Sequence, residues 1–360
     1  MCMIRSRAQQ LNISLIDKQD KECTVKIKAL ADTRLRLIDD ASRTVVPGPA
    51  TSILGLARSV AFAWICALPH EMTAASSALD ITHDKLPQST TDHNTYLLGE
   101  VCGHKVVVTC LPAGVYGTTA AASAVSQLRS AFPAIRFGLL VGVGGGVPTR
   151  ENDIRLGDIV VSIPTQTLSG VIPYDIGKAT AGGGFERLGA LNRPPDVTLT
   201  AVAQLRAAYL AGNGHISRII SDILCKTPYL RRTHSRPGPE KDQLFDATYE
   251  HSSFDDSTCA RCDRGRLVAR TPRPSDDPQV HYGLIASGNL VIKDGCTRDR
   301  LARSLGNICF EMEAAGVVNI IPTLVIRGIC DYSDSHKNNT WQAYAALAAV
   351  AYAKELLSCR

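Results

Sequence analysis

Carboxylate side chains stand where two predicted strands of this 360-residue chain end. Glu71 follows the apolar run SVAFAWICAL at 59–68, and Asp331 follows the run TLVIRGIC at 323–330. Ligands of open α/β sheets bind outside the carboxyl ends of the strands, so both side chains are candidates for chemistry. Two carboxylates in one cleft can act as acid and base when their surroundings separate their pKa values. The alternative for Glu71 is a first-turn acid that favours the dipole of the next helix.

A third carboxylate and a glycine run add to this pattern. Glu313 is suited to hold a polyol such as ribose, and the run GVGGGVP at 142–148 lets a ligand approach the backbone. The run is not a dinucleotide fingerprint, because its sixth residue is Val147, and no Walker lysine follows it. Cleavage of a bond between a sugar and a base needs an acid, a base and contacts to the sugar. These residues therefore indicate N-glycosidic chemistry.

The periodicity of apolar residues predicts the elements that position these side chains. Strands are predicted at 59–68, 137–143 and 156–162, with an antiparallel pair at 94–111. The stretch 280–292 is predicted to be a strand followed by a small-residue turn at 287–289. Helices are predicted at 72–79, 118–131, 196–210, 297–306 and 340–357, the last one amphipathic. Residues 307–336 read as a helix with an acidic start, a loop that ends at Pro322, and a buried strand. This alternation of strands and helices predicts an α/β domain.

The composition divides the chain into three parts. Residues 1–58 are a polar extension of unknown role, and 59–357 form the domain. Within it, the stretch rich in Arg, Pro, Asp and Ser at 227–277, called here the 227–277 segment, reads as a long insertion or a flexible lid. The segment holds His251 and one CxxC pair, Cys259 and Cys262, which is half a zinc site at best. Loop cysteines without a metal are the favoured interpretation.

Charge and hydropathy argue against several classes of partner. The net charge is +5, and no basic run is interleaved with aromatic residues, so a nucleic-acid polymer is not expected. The N-terminal residues show no secretory signal, and no run of about 18 apolar residues predicts a membrane span. Most of the twelve cysteines lie in apolar runs, so we expect reduced thiols and a cytoplasmic location.

Several phrases carry a resemblance to a known family. Between residues 59 and 357 the chain resembles the purine nucleoside phosphorylase and uridine phosphorylase superfamily, which includes the methylthioadenosine/adenosylhomocysteine nucleosidases. The resemblance is strongest to a fungal branch whose domains often stand at the head of NACHT or repeat-containing proteins. It implies a single three-layer α/β/α domain around a mixed twisted central sheet, no cofactor or metal, and a homo-oligomer. The phrases, in chain order, are WICALPHE, GVGGGVP, LGDIVVS, HYGLIASGN, FEMEAAG and VIRGICDYSDSHKN.

The resemblance also implies a role for each matched residue. Asp331 matches the aspartate that protonates purine N7, and Glu71 matches the glutamate that activates water. Met312 and Glu313 match a pair under the ribose, where the glutamate accepts hydrogen bonds from the 2′ and 3′ hydroxyls. The remaining matches are a base-pocket stretch, Ser287, Gly288, Asn289, Leu290 and Val291, and a nucleophile or phosphate turn, Gly142, Val143, Gly144 and Gly145.

Departures from the family pattern bear on the nucleophile. The family places a serine or threonine in the glycine turn, where this chain has Val143, and no arginine stands just before Gly142. Without cationic donors a phosphate ion would be poorly held, so hydrolysis is favoured over phosphorolysis. Asn289 stands where nucleosidases often have an aspartate, so recognition of the purine is expected to differ in detail.

Three functions remain open from the sequence. The first is hydrolysis of the N-glycosidic bond of a purine nucleoside or nucleotide, with adenine favoured; the second is a phosphate-dependent phosphorylase; the third is a non-catalytic nucleotide sensor. Structural alternatives also remain: Asp331 could cap its strand, and Glu313 could pair with Arg327. His336 and Lys337 could contact a 5′ substituent of the substrate, but they are read as solvated loop residues.

Overall fold

The computed structural model describes residues 59–165, 167–181, 184–251 and 258–359. The predicted extension at 1–58 lies outside these residues. The described chain is a mixed α/β fold with a large central sheet, which confirms the predicted fold class. None of its described helices is both long and apolar enough to cross a membrane.

Ten strands form the central sheet, and two more form a separate hairpin. The sheet strands are β1 Phe62–Cys66, β2 Ile81–His83, β3 Tyr96–Val101, β4 His104–Cys110, β5 Phe137–Gly146, β6 Ile159–Ser162, β7 Val171–Pro173, β10 Val280–Ser287, β11 Asn307–Glu311 and β12 Thr323–Asp331. The hairpin strands are β8 Gly177–Thr180 and β9 Gly184–Arg187. The helices are α1 Pro69–Ala78, α2 Thr118–Ala131, α3 Asp196–Leu210, α4 Ile216–Lys226, α5 Pro228–Thr233, α6 Gly295–Leu305, α7 Ala314–Val317 and α8 Gln342–Ser358.

The strand order brings the predicted chemical residues to one edge. The sheet runs β11-β10-β6-β12-β5-β1-β4-β3-β2, and β1, β5 and β12 are parallel neighbours whose carboxyl ends meet. Strand β11, at one end of this order, also pairs antiparallel with the end of β5 in the middle of the sheet. Strands β5, β12, β6, β10 and β11 therefore form a closed ring, and the glycines of β5 serve two partners at once.

Two sequence predictions fail in the region around this ring. Residues 307–311 form strand β11, although the stretch was predicted to be helical, and the only helix there is the short α7. Glu, Met and Ala favour helices, but pairing with β10 and β5 outweighs that weak preference. The glycine run at 142–146 was predicted as a turn after a strand; it is the last half of β5 itself.

The helix α8 differs from its prediction as an amphipathic helix. Thirteen of its 17 residues are buried, because it packs on β5 and β12 with one face and under α1 and α4 with others. Small side chains allow this close packing: a Cβ atom at Gly328 of β12 would collide with the carbonyl oxygen of Ala345. The helix is a core element that supports the strand carrying Asp331.

The described part of the 227–277 segment packs against the ends of the sheet. Arg273 donates to both carboxylate oxygens of Asp158 at 2.7 Å, and Arg270 donates to the Tyr332 hydroxyl at 2.8 Å. Both guanidinium groups are mostly buried. The segment is therefore held to the domain by its arginines. Its role as an insertion or lid stays a prediction.

Candidate active site

A cavity of about 280 Å³ opens at the carboxyl ends of β1, β5 and β12. Its wall contains the three carboxylates singled out in the sequence, Glu71, Glu313 and Asp331, together with Met312. The three carboxylates come from separate elements: the first turn of α1, the start of α7 and the end of β12. Only 1%, 6% and 4% of their respective surfaces are exposed, so any charge on them is held in a largely dry environment.

Glu71 is fixed by the backbone at the point where β1 turns into α1. Its Oε2 accepts hydrogen bonds from the N–H groups of Ala67 at 2.6 Å and Leu68 at 3.0 Å, and its Oε1 accepts one from Val143 at 2.8 Å. Burial raises the pKa of Glu71, although Arg327 and these hydrogen bonds oppose the change. A carboxylate with a raised pKa is a better proton acceptor than an exposed glutamate.

The glycines of β5 give the carboxylates room to reach the strand. A Cβ atom at Gly142 would collide with Glu71 Oε1 and lie 2.7 Å from Nη1 of Arg327. A Cβ atom at Gly145 would collide with the Ser333 hydroxyl and lie 2.8 Å from Asp331 Oδ1. Within the predicted nucleophile turn, Val143, Gly144 and Gly145 line the cavity, while Gly142 lies behind Glu71. The glycine run therefore leaves the space that the side chains of Glu71, Asp331 and Ser333 occupy.

Arg327 is a buried cation that links the carboxylates. Its guanidinium pairs closely with Glu311 and lies 3.2 Å from Glu313 Oε2, so the pairing of Glu313 with Arg327 considered from the sequence is present. Burial raises the pKa of Glu313 to about 7; Arg327 opposes this rise, and Glu311 and Glu71 add to it. One guanidinium therefore lies among three glutamates, Glu71, Glu311 and Glu313, and all three line the cavity with it.

Asp331 lies at the end of β12 beside a second cation. Its Oδ1 accepts a hydrogen bond from the N–H of Ser333 at 2.9 Å, and its Oδ2 lies 2.9 Å from the Lys337 ammonium. Burial disfavours the charged form of Lys337, but the Asp331 carboxylate outweighs it, so the pKa of Lys337 is raised. Lys337 was predicted to be solvated; the residue is exposed, with 32% of its side chain accessible, and it also lines the cavity. His336 is buried, so the prediction is wrong for His336.

The predicted base-pocket stretch divides at Asn289. Leu290 and Val291 line the cavity. Ser287 accepts a hydrogen bond from the N–H of Ala315 at 2.9 Å, outside the cavity wall. Gly288 lies against Tyr174, and Asn289 accepts bonds from Thr118 and donates to Asp175. These contacts tie the stretch to α2 and to the loop after β7, and leave its last two residues facing the cavity.

A family model provides the decisive comparison. The model described as "Phosphorylase superfamily" matches residues 61–357. The chain belongs to this superfamily. A nucleotide-binding leucine-rich repeat (NLR)-like protein of the fungus Hyaloscypha variabilis is 46% identical over 295 residues, which cover 82% of this chain but 29% of that protein. The chain thus corresponds to less than a third of that relative's length.

Relatives within the superfamily agree with the N-glycosidic chemistry. A 5′-methylthioadenosine/S-adenosylhomocysteine nucleosidase of Mycobacterium tuberculosis is 24% identical over 303 residues, covering 81% of this chain and 94% of that enzyme. The crystal structure of the nucleosidase of the same name from Neisseria meningitidis superposes with a TM-score of 0.53 at 14% identity, covering 83% of this chain and 99% of that one. This superposition shows the shared fold.

Three charged residues that line the cavity were not assigned to the site from the sequence: Glu311, Arg327 and Lys337. A signal for Arg327 was present, because it is the only charged residue in the apolar run TLVIRGIC. A charge in a strand buried on both faces needs a buried countercharge. The sequence analysis named Glu313 as a partner but missed the closer partner, Glu311, since Glu311 was read as part of a helix. For Lys337, the polar sequence of its loop gave no sign of its pairing with Asp331.

Proposed function

We propose that this chain hydrolyses the N-glycosidic bond of a purine nucleoside or nucleotide, with adenine as the base. The observation that carries the proposal is the meeting of Glu71, Glu313 and Asp331 in one cavity. Nucleosidase relatives support the reaction class. The size of the cavity, about 280 Å³, is near the lower end of the range for small-molecule sites.

Each side chain has a chemical task in the proposed reaction. Glu71 accepts a proton from a water molecule while the water oxygen bonds to C1′ of the sugar. The bond between C1′ and N9 breaks, its electron pair moves into the purine, and Asp331 donates a proton to N7. The products are the free base and the free sugar, and the proton on Glu71 returns to Asp331 through solvent. The Lys337 ammonium, 2.9 Å from Asp331, pairs with the carboxylate that is left once the proton has moved to N7.

Glu313 would hold the ribose from below. Its Oε2 faces Arg327, and its Oε1 lies 3.4 Å from the N–H of Gly117, which begins the turn into α2. Both contacts restrict the rotation of the carboxylate, so that it can accept hydrogen bonds from the 2′ and 3′ hydroxyls without reorganising. Met312 supplies an apolar contact beside it.

The charges of the cavity favour water over phosphate as the nucleophile. Arg327 is already engaged by Glu311 and Glu313, with Glu71 nearby, so a phosphate dianion approaching it would meet more negative than positive charge. Phosphate needs donors that are available for bidentate bonds. A phosphate-dependent phosphorylase is the second candidate, because Arg327 and Lys337 do place two cations in the cavity wall.

Base release measured by chromatography tests the proposal. The substrates are adenosine, inosine, methylthioadenosine and ATP, each with and without phosphate. Free base without phosphate is the expected result; base and ribose 1-phosphate only with phosphate would establish the phosphorylase. No release from any substrate, together with tight nucleotide binding, would favour the sensor instead.

The variant Asp331→Asn tests the assignment of the acid. It keeps the hydrogen bond from Ser333 but cannot donate the carboxylic proton, so turnover should fall by about 10²–10⁴-fold. Asp196→Asn, at the exposed start of α3, is the matched control and should keep wild-type turnover. Near-wild-type turnover of Asp331→Asn, with an unchanged melting temperature, would refute this role.

A further inference from the structure

Two cysteines and a histidine of the 227–277 segment meet in space. The ligand atoms of His251, Cys259 and Cys262 all lie within 4.8 Å of one another. The two cysteines are joined by a tight turn in which the N–H of Cys262 donates to the Cys259 carbonyl at 3.2 Å, and Cys262 is only 6% exposed. Tetrahedral zinc with bonds of about 2.0–2.3 Å to nitrogen and sulfur places its ligand atoms about 3–4 Å apart, so a small contraction of this cluster suffices.

A fourth candidate ligand comes from outside the segment. The side chain of His336 is 4% exposed, and neither of its ring nitrogens has a hydrogen-bond partner among the residues that the structure describes. Its ring centroid lies 5.4 Å from that of His251. Two imidazoles bound to one tetrahedral zinc ion have centroids about 5 Å apart, given a zinc–nitrogen bond of about 2 Å. Phe245 stacks on the His336 ring, with 4.0 Å between the ring centroids, and fixes the ring.

We propose that His251, Cys259, Cys262 and His336 bind one Zn²⁺ ion. Thiolates and imidazoles in a tetrahedral set of four are the ligands of structural zinc. The surroundings of His251 suit a ligand, because its Nε2 lies 3.1 Å from the carbonyl oxygen of Thr258. A metal-bound histidine donates its other N–H group to such an acceptor, and the tautomer that donates here carries its lone pair on Nδ1. Two thiolates offset the charge of the ion.

The zinc ion would join the 227–277 segment to the loop that follows β12. This junction already has two contacts: the N–H of His251 donates to Ser335 Oγ at 2.9 Å, and Cys259 Sγ lies 3.9 Å from the His336 carbonyl oxygen. A second cavity, of about 330 Å³, is lined by Cys259, His336 and Asp331 among other residues. The ion would therefore border the same cavity as Asp331, the proposed acid, and its role would be structural rather than catalytic.

Metal analysis of the purified full chain tests this proposal. After equilibration with Zn²⁺ and removal of free ions, we expect about one zinc per chain. The double variant Cys259→Ser/Cys262→Ser should hold less than a tenth of that amount. The double variant Cys225→Ser/Cys296→Ser is the matched control, since both thiols are exposed and lie outside the cluster, and it should keep the full amount.

The absorption spectrum of the cobalt-substituted wild-type chain tests the thiolate ligands without a variant. Co²⁺ bound to the wild-type chain should show thiolate-to-cobalt charge-transfer absorption. The control variant Cys225→Ser/Cys296→Ser keeps Cys259 and Cys262, so it should show the same absorption. His336→Asn should weaken Zn²⁺ binding by at least about tenfold; unchanged affinity would remove His336 from the ligand set. A wild-type chain without metal, or with Cys259 and Cys262 recovered as a disulfide, would overturn the site. Neither measurement uses a substrate, so the outcome is independent of the proposed hydrolysis.

Discussion

The buried guanidinium of Arg327 supports a specific prediction about stability. Arg327 is 1% exposed, and the Glu311 side chain that pairs with it is 0% exposed, so solvent does not screen this ion pair. Arg327→Met keeps most of the apolar volume and leaves Glu311 and Glu313 without their countercharge. Removal of one partner from a buried pair costs about 3–5 kcal/mol. At roughly 2 °C per kcal/mol for a domain of this size, the melting temperature should fall by roughly 6–10 °C.

The pH dependence of the variant identifies the cause. In the wild type the pKa of Glu313 is about 7 and Arg327 lowers it, so the substitution should raise it further. A glutamate whose folded-state pKa exceeds the unfolded value of about 4.5 loses stability as the pH rises through that window. The deficit of Arg327→Met relative to the wild type should therefore be larger at pH 8 than at pH 5, as read from urea unfolding at each pH.

A double variant provides the control. Arg327→Met/Glu311→Gln removes both charges of the closest pair and should recover at least about 1 kcal/mol relative to Arg327→Met. Two outcomes would refute the reasoning: a wild-type melting temperature for Arg327→Met, or losses in the double variant that equal the sum of the two single losses. Either would mean that the pair carries no buried electrostatic energy.

Two further predictions concern the same cavity. Gly142→Ala should lower turnover by about 10²-fold, because its Cβ atom displaces Glu71 from the backbone donors. The control is Gly138→Ala, in the same strand β5 but away from the cavity, where the added Cβ atom crowds Thr323 of β12. This variant should keep its turnover within about threefold of the wild type in the same assay. Glu313→Gln should remove a pH-dependent loss of stability that amounts to roughly 3 kcal/mol in the wild type between the unfolded pKa of about 4.5 and the folded pKa of about 7. Urea unfolding of the wild type and of Glu313→Gln, each at pH 5 and pH 8, measures this difference. If Glu313 is not the titrating group, both proteins will show the same change in unfolding free energy between the two pH values.

The elements that the sequence predicted well are those in which local pattern and tertiary environment agree. Helix α2 at Thr118–Ala131 and helix α3 at Asp196–Leu210 have their predicted bounds, because small and apolar residues recur there with helical period. The apolar run of β12 is buried on both faces as predicted. The positions of Glu71 and Asp331 at one sheet edge follow from the same pattern.

The failures share a physical origin, since they depend on contacts distant in the chain. Residues 307–311 became a strand because two other strands pair with them. The partners of Arg327 lie 14 and 16 positions away, on an element that the sequence misread. His336 follows a polar pattern and is nevertheless buried, because Phe245 packs on it, and Lys337 lines the cavity because it pairs with Asp331. No local periodicity carries this information.

The closed ring of strands has a consequence for how such a site can diversify. Substitutions along β5 move a carboxylate, since the glycines there are already in contact with Glu71 and Asp331. Leu290 and Val291, by contrast, border the cavity while 64% and 43% exposed, and exposed side chains change at a cost usually within about 0.5 kcal/mol. Substitutions at the mouth can therefore alter which molecules enter this cavity while Glu71 and Asp331 stay unchanged. The expected outcome of such an architecture is a set of related proteins that share the carboxylates of this cavity and differ in the molecules that they accept.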